Sequence, residues 1–212
     1  MGRPREFDED KVLEAARDAF WVNGYEGTST RALSECTGLT QSSLYAAYGD
    51  KRGVFLRALD LYLDQSSRKR IARLESSMSP GRAIVTFFSE IVDWSLADAQ
   101  RRGCMLVNTA LEIKMSDPDL RRVVLKEMGA IEDFFQRCIL AGRISNEISA
   151  EGSAVEHAKH LLAVLIGLRV MARIAPNFGR FTDILRPALA QLNLPWPPSS
   201  RSSPARARDG LT

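Results

Sequence analysis

Hydrophobic positions recur every three to four residues along most of this 212-residue chain, which is the period of an α-helix. The first such run covers residues 8–22, with Asp8 placed to cap it and Asn23-Gly24 placed to end it. No stretch shows the alternating pattern of a half-buried strand. The sequence therefore predicts an all-α protein.

Further helical runs fill the rest of the chain and are separated by short breaks. Ser79-Pro80 and Asp117-Pro118 each pair a capping residue with a first-position proline, an order that opens helices. The helices are expected at residues 51–74, 80–99, 103–115, 118–140, 153–174 and 180–192. Helices of this length with short connections predict a bundle. Residues 195–212, rich in Pro, Ser, Arg and Ala, are predicted to form a disordered tail.

Residues 28–55, TSTRALSECTGLTQSSLYAAYGDKRGVF, are the most informative segment. A short helix over residues 31–37 meets Gly38-Leu39-Thr40, and a second short helix opens at Gln41. Two helices joined by a tight glycine-containing turn present the second helix to the major groove of DNA. We therefore expect a three-helix helix-turn-helix DNA-binding domain over residues 1–50. A helical bundle is expected to follow over residues 51–194.

Composition narrows the function classes without choosing one. The net charge is +3, yet residues 1–55 hold seven Lys/Arg against nine Asp/Glu, so bulk charge does not establish DNA binding. No uncharged apolar run is long enough to span a membrane, and the polar N-terminus is not a secretory signal. The three widely spaced cysteines, Cys36, Cys104 and Cys138, argue against a disulfide framework and for a reducing cytoplasm.

The helix-turn-helix segment resembles that of the TetR family of transcriptional regulators. The family pattern has an Ile-Ala pair, Ala-Gly-Val-Ser, Gly-x-Leu-Tyr, an aromatic residue and a lysine. Here these places hold Leu33-Ser34, Thr37-Gly38-Leu39-Thr40, Ser42-Ser43-Leu44-Tyr45, Tyr48 and Lys51. Ser34 and Thr37 replace alanines, and Ser42 replaces a glycine of the recognition helix, so the base preference is expected to be unusual.

The resemblance implies which side chains contact DNA. Thr28, Ser29 and Thr30 flank the start of the second helix, where hydroxyls and free backbone N–H groups can hold a phosphate. Thr40 caps the recognition helix, and its first turn, Gln41, Ser42 and Ser43, reaches base edges; Gln41 suits a bidentate contact to adenine.

Flanking residues add contacts to the DNA backbone. Tyr45 and Tyr48 are expected to contact phosphates through their hydroxyls, the alternative for each being partial burial with a solvated hydroxyl. Lys51 adds a point charge. Arg3 and Arg5 resemble an N-terminal arm that enters a narrow minor groove, the alternative being a solvated terminus.

The resemblance also implies that residues 51–194 form an effector-binding and dimerisation domain. It further implies a homodimer that binds a nearly palindromic double-stranded operator, most often as a repressor, with activation left open. The last two helices would form a four-helix interface with their partners. Residues 161–171 are apolar on nearly every side, which fits either the core of one chain or this interface. Effector binding would then change the separation of the two DNA-binding domains.

The effector site is less clearly marked. Eight aromatic and methionine side chains are candidates for the lining of an apolar pocket, and ordinary core is the default interpretation of the same set: Phe87, Phe88, Trp94, Met105, Met128, Phe134, Phe135 and Met171. Gly103-Cys104-Met105-Leu106-Val107-Asn108 resembles a Gly-Cys-x-x-Val-Asn segment in a subset of the family, some members of which sense electrophiles or oxidants. Cys104 lies in a first helical turn beside two arginines, which favours thiolate, and the alternative is an inert buried thiol. Asn108 would instead bond a small ligand.

Other classes of function have less support. The chain has no Gly-rich phosphate loop, no Gly-x-Ser-x-Gly elbow and no His-Glu-x-x-His, and its two histidines leave little for acid–base catalysis. His157 and His160 with Glu156 form at most half a metal site, and a solvated face or subunit contact is the better interpretation. We therefore expect neither an enzyme nor a cofactor. An α-helical scaffold remains the other alternative.

Overall fold

The computed structural model describes residues 7–112 and 117–198, and every regular element in these ranges is helical. The helices follow each other in the order that the hydrophobic pattern predicts. They are α1 (Glu9–Gly27), α2 (Thr30–Thr37), α3 (Gln41–Tyr48), α4 (Lys51–Leu63), α5 (Lys69–Ser77), α6 (Pro80–Ala97), α7 (Met105–Glu112), α8 (Pro118–Ile144), α9 (Ala154–Ile174) and α10 (Phe178–Ala190). The predicted all-α fold is confirmed.

Local signals set most helix starts. The Asp8 carboxylate accepts a hydrogen bond from the Lys11 N–H at 3.2 Å, and Asp50 accepts one from the Gly53 N–H at 2.7 Å. α1 breaks where expected, because Gly24 has a φ of 76°, and one further turn runs to Gly27. Thus α1 to α3 are packed together by α4, whose inner face contacts α1 and α3.

The predicted helix over residues 51–74 is not uniform. A π-helical turn, Asp64–Arg68, separates α4 from α5, and the helical path continues to Ser77. Inside this turn the Ser67 hydroxyl donates to the Leu63 carbonyl at 3.1 Å. π-helical turns inside helices are frequent at functional sites. Here the turn adjoins the cavities described below.

The larger bundle is centred on α6, α8 and α9. Four phenylalanines from α6 and α8 pack in its interior with ring centroids 5.3–5.8 Å apart, namely Phe87, Phe88, Phe134 and Phe135. α9 buries Leu161, Leu165 and Leu168 against this bundle. It also buries Arg169, the one charged residue of the segment over residues 161–171.

The ordered chain extends beyond the boundary predicted at residue 194. Leu194 and Trp196 are buried, and the Trp196 Nε1–H donates to the Thr182 hydroxyl at 3.4 Å. The predicted tail therefore begins too early at residue 195, because the Trp196 side chain packs on the bundle. The rest of that predicted tail, residues 199–212, lies outside the described ranges. No helix within the described ranges is long and apolar enough to cross a membrane.

Candidate DNA-binding surface and effector cavities

The turn between α2 and α3 has the geometry that a helix-turn-helix requires. Gly38 adopts a left-handed conformation with a φ of 71°, and its N–H donates to the Ser34 carbonyl at 3.0 Å. Leu33 and Leu44 lie beneath the turn and are fully buried. These contacts fix the angle at which α3 leaves the domain.

The first turn of α3 is an exposed, neutral, hydrogen-bonding surface. Thr40 caps the helix by accepting from the Ser43 N–H at 3.2 Å, and its hydroxyl lies 2.9 Å from those of Ser42 and Ser43. Gln41, Ser42 and Ser43 are all exposed. This turn therefore presents hydroxyl and amide groups, together with the free N–H groups of a helix N-terminus, to solvent.

The start of α2 lies beside α3. Ser29 is exposed and caps α2 by accepting from the Ala32 N–H at 3.1 Å. The Thr30 and Tyr45 hydroxyls are 2.9 Å apart and join the two helices. Both side chains are half-buried. Tyr45 is therefore partly buried, and its contact with a DNA phosphate stays a prediction.

Thr28 is misplaced in the predicted set of phosphate contacts. Its side chain is fully buried, and its hydroxyl donates to the Gly24 carbonyl at 2.7 Å and approaches the Ala19 carbonyl at 3.3 Å. Both carbonyls lie near the break of α1 at Gly24, and the Ala19 carbonyl also accepts from the Asn23 side-chain amide at 3.0 Å. Its hydroxyl is therefore structural in this conformation.

The remaining predicted DNA contacts differ in how they are held. Lys51 is half-buried, with Nζ 4.5 Å from the centroid of the Tyr25 ring, a cation–π contact that orients the ammonium group. Tyr48 is half-buried at the end of α3, and its hydroxyl oxygen is buried, so this conformation does not present it to a phosphate. Arg3 and Arg5 lie outside the described residues.

Most of the predicted effector residues lie in the core instead. Phe88, Met105 and Phe134 are buried at 0–1% exposure, and neither cavity described below is lined by them. Met171 packs partly buried on the core, and the Asn108 side-chain amide donates to the Arg102 carbonyl at 2.9 Å. For Phe88, Met105 and Phe134, the interpretation as ordinary core fits the structure.

Four predicted residues do line cavities, namely Phe87, Trp94, Cys104 and Met128. The first, which we call the apolar cavity, measures about 50 Å³ and is lined by Cys104 together with apolar side chains of α6 to α9. The second, which we call the arginine cavity, measures about 450 Å³ and lies between α1, the π-helical turn, α6 and α9. Its wall includes Arg17, Asp18, Trp21, Gln65, Trp94 and Arg102. Tyr62, Ser66, Arg70 and Arg169 line both cavities.

Cys104 has a distinctive electrostatic setting. The Tyr62 hydroxyl donates to its Sγ at 3.5 Å, and Arg169 lies next to both groups. Burial by itself would raise the pKa of the Cys104 thiol. The Arg169 charge and the Tyr62 hydrogen bond more than offset this effect, so the pKa lies below its ordinary value. Burial raises the pKa of Cys138 to about 12 and also raises that of Cys36.

Sequence reasoning missed Tyr62, Arg70 and Arg169. The available signal for Arg169 was that it is the single charged residue within the apolar stretch 161–171 of α9, where a buried charge is uncommon and often functional. Nothing comparable marked Tyr62 or Arg70, which are brought to the cavities by tertiary packing. His157, by contrast, bonds locally, with Nε2 2.7 Å from the Glu151 carbonyl oxygen.

A helix-turn-helix head joined to a larger helical bundle is an architecture of DNA-binding transcriptional regulators. The profile described as "Bacterial regulatory proteins, tetR family" matches residues 12–58, and that of "Tetracyclin repressor-like, C-terminal domain" matches residues 80–183. The HTH-type transcriptional regulator YezE of Bacillus subtilis, whose name calls it uncharacterized, is 33% identical over 195 residues, covering 91% of this chain and 100% of YezE. The chain belongs to the TetR family of transcriptional regulators.

Two further relatives bear on function. The HTH-type transcriptional repressor ComR of Escherichia coli is 28% identical over 184 residues, which cover 86% of this chain and 88% of ComR. A solved structure of the TetR family regulator CifR, a cysteine mutant complexed with 26-bp double-strand operator DNA, superposes with a TM-score of 0.80. CifR is 34% identical, and the match covers 90% of this chain and 100% of that one.

Proposed function

We propose that this chain is a homodimeric transcriptional repressor that binds a palindromic operator and is released from it by an effector. The observation that carries the proposal is the exposed first turn of α3, where Gln41, Ser42 and Ser43 stand beside the N-cap Thr40. An N-terminal turn of this kind is the part of a recognition helix that reaches base edges. The names of ComR and CifR, a repressor and an operator-bound regulator, support the same function.

Within this proposal the side chains have different roles. Gln41 and Ser42 read bases in the major groove, whereas Ser29, Tyr45 and Lys51 bind phosphates. The Lys51 ammonium, oriented over the Tyr25 ring, supplies the positive charge that the neutral first turn of α3 lacks. Arg3 and Arg5 remain proposed minor-groove contacts.

Dimerisation is proposed through α9 and α10. Ala163, Gly167, Val170 and Ile174 follow one face of α9, the first two exposed and Ile174 65% exposed. A Cβ built on Gly167 meets nothing within 4 Å, so this face is open to another helix. Small residues allow helices to approach closely, which suits the two-fold symmetric partner that a palindromic operator needs.

Release requires a mechanical link between the effector domain and the head. The Tyr25 N–H, at the end of α1, donates to the Glu112 carboxylate of α7 at 2.8 Å. Arg52, in the first turn of α4, forms a bidentate pair with Asp117, the N-cap of α8. A ligand that moves α7 or α8 would therefore displace the heads, and two recognition helices must remain about one DNA turn apart.

The effector acts in one of two ways. Modification of Cys104, whose segment resembles that of a thiol-sensing subset of the family, would alter the contacts of Tyr62 and Arg169. Alternatively a reversible ligand occupies the cavities. The experiment for the function as a whole begins with selection of an operator from random duplexes, followed by fluorescence anisotropy on that duplex with excess nonspecific competitor.

Three variants then test the DNA-binding surface. Gln41→Ala is expected to lower the affinity for the selected operator tenfold or more and to change the preferred bases, because it removes a base contact. Lys51→Ala is expected to weaken binding to all duplexes alike and to reduce the salt dependence. Lys126→Ala, an exposed lysine of α8, is the matched control and should change neither. Failure to select any duplex would overturn the proposed function.

A further inference from the structure

The arginine cavity contains a buried cation, Arg169, that has no carboxylate partner among the described residues and whose neighbouring acidic group is the Cys104 thiol. Arg169 is only 7% exposed, and its guanidinium donates to three neutral oxygens: Ser95 Oγ at 3.2 Å, Tyr62 Oη at 3.4 Å and the Gly103 carbonyl at 3.1 Å. Within residues 7–112 and 117–198, no carboxylate lies within ion-pair distance of it. Burying a guanidinium is costly unless a negative charge compensates it.

The other charges around the cavity do not supply that compensation. Asp18 is the only acidic residue on the described wall, and it already contacts Arg17 at 2.9 Å and Arg102 at 3.9 Å. Asp98 bonds Arg102 at 3.2 Å.

The fourth arginine of the wall is paired outside the cavity. Arg70 bonds Glu90 at 3.1 Å, and Glu90 also binds Arg73 at 2.6 Å. Four guanidinium groups thus face three carboxylates, one of which is shared with a fifth arginine. The deficit of negative charge lies at Arg169, the most deeply buried of the four cations.

A second, independent group in the wall also lacks an acceptor. Trp21 is 8% exposed, and within the described chain its indole Nε1–H is buried and has no hydrogen-bond partner. An indole N–H is a donor only, so it needs an acceptor that the protein here does not provide. The Trp21 ring stacks on that of Trp94 at 5.1 Å, with Arg102 over Trp21 at 4.3 Å and Arg169 over Trp94 at 5.0 Å.

The two cavities share walls but differ in chemistry. Tyr62, Ser66, Arg70 and Arg169 line both, while the apolar cavity continues between Leu106, Ile131 and Leu165. A molecule bound across these walls would have its charged end among the arginines and its apolar part between leucine and isoleucine side chains. The arginine side chains exclude a cation from this site. An inorganic anion is disfavoured because it would leave the adjoining apolar cavity unfilled.

We propose that the arginine cavity binds the carboxylate of a small organic acid, with Arg169 as its main partner, and that the acid's apolar body enters the apolar cavity. A carboxylate accepts two N–H bonds from one guanidinium in a bidentate pair. The claim that this acid is the effector rests on the proposed repressor function. The inference of a binding site stands on the cavity alone.

The position of the site gives the acid a route to the DNA-binding head. Arg17, Asp18 and Trp21 belong to α1, whereas Arg169 belongs to α9. An acid held between them contacts the helix that packs against α2 and α4. Binding would thus reposition the head directly, in addition to any movement of α7.

Cys104 provides an internal indicator of occupancy. Its Sγ lines the apolar cavity, and the same Arg169 charge that favours its thiolate would be neutralised by the bound carboxylate. A bound acid therefore both covers the thiol and removes its stabilising charge. Alkylation of Cys104 by iodoacetamide should slow at least several-fold when the site is filled.

The test uses the full chain and isothermal titration calorimetry with two acids, sodium benzoate and sodium hexanoate. Benzamide and hexanamide match them in shape without the charge. At least one acid is expected to bind saturably, with its amide tenfold weaker or worse. Arg169→Gln should abolish this preference and Arg102→Gln reduce it. Arg137→Gln, which pairs with Glu75 and lines neither cavity, should leave it unchanged.

Circular dichroism establishes whether Arg169→Gln folds, and Arg70→Gln replaces it if it does not. The inference is overturned if neither acid saturates at millimolar concentration, or if amides bind as well as acids. It is also overturned if the arginine variants retain the preference for acids. Anisotropy on the selected operator separates the two proposals. Operator binding without acid binding removes this inference alone, whereas acid binding without operator binding removes the repressor function alone.

Discussion

The polar groups of the DNA-binding surface and those of the arginine cavity are held in opposite ways. Thr40 and Ser29 bond to backbone N–H groups three residues away, and their side chains stay exposed. Arg169 bonds to Gly103, Ser95 and Tyr62, which lie 66, 74 and 107 residues away in sequence, and is buried. The first site is built by local capping, and the second exists only once the whole bundle has packed.

This difference has energetic consequences. Substituting an exposed capping or base-reading side chain removes one local hydrogen bond, so binding changes more than stability does. Substituting a residue of the bundle alters a packed core that fixes the cavity, so stability and ligand binding change together. The following variants test whether the two regions separate in this way.

The largest effect is expected for Phe134→Ala. Phe134 is fully buried among three other phenylalanines, so its truncation should lower the free energy of unfolding by about 3–5 kcal/mol in urea denaturation. Ser42→Ala, on the exposed turn of α3, should stay within about 0.5 kcal/mol of the parent. If Phe134→Ala kept full stability and lost only acid binding, Phe134 would be an effector contact, as its aromatic character first indicated.

The same division explains what the sequence could predict. Helix order, the caps at Asp8 and Thr40, and the turn at Gly38 follow from residues within a few positions of each other. The effector residues did not follow, because an apolar side chain such as Phe88 has the same sequence signature whether it lines a cavity or fills a core. Thr28 failed for a related reason, since its burial depends on where α1 breaks.

Gly53→Ala should produce the next largest effect. A Cβ at this position would lie 1.8 Å from the Tyr48 carbonyl oxygen, so α4 must shift away from the end of α3. We expect a loss of about 2 kcal/mol in unfolding free energy, together with weaker operator binding, because the recognition helix moves. Gly129→Ala is the matched control: it meets nothing within 4 Å and should stabilise α8 by about 0.5–1 kcal/mol. Equal stability of the two variants would contradict the close α3–α4 approach.

Cysteine reactivity should differ by about tenfold or more between two thiols of the bundle, which corresponds to about 1.4 kcal/mol. The pKa of Cys104 lies below its ordinary value, whereas that of Cys138 is raised to about 12, so Cys104 holds far more thiolate near neutral pH. Iodoacetamide labelling followed by peptide mass spectrometry measures both rates in one sample. Arg169→Gln should slow the labelling of Cys104 and leave the labelling rate of Cys138 unchanged. If Cys138 were labelled faster than Cys104 in the parent protein, the Arg169 charge would not act on Cys104.

The smallest effect concerns the link between the two regions, the pair of Arg52 with Asp117. Their side chains are 36% and 21% exposed, so a double-mutant cycle of Arg52→Gln and Asp117→Asn should give a coupling of about 0.5–1 kcal/mol. Asparagine preserves the N-cap of α8, and the cycle therefore isolates the ion pair. The far more exposed pair of Arg31 with Glu35, within α2, should give a coupling near zero.

The stabilisation from the Arg52–Asp117 pair is expected to change with pH in a defined direction. The hydrogen bond from Arg52 holds the pKa of Asp117 below its ordinary value of 3.8. The stabilisation is therefore fully present above that ordinary value, and it is lost as the pH falls through the lowered pKa, when the folded state also takes up the proton. Urea denaturation at neutral and at acidic pH measures this. Because Arg52 begins the helix that follows α3, loss of the pair should also weaken the effector's ability to release the operator while leaving operator affinity itself nearly unchanged. A coupling that persisted in acid, or a release that did not depend on Arg52, would assign the connection between the regions to the contact of Tyr25 with Glu112 instead.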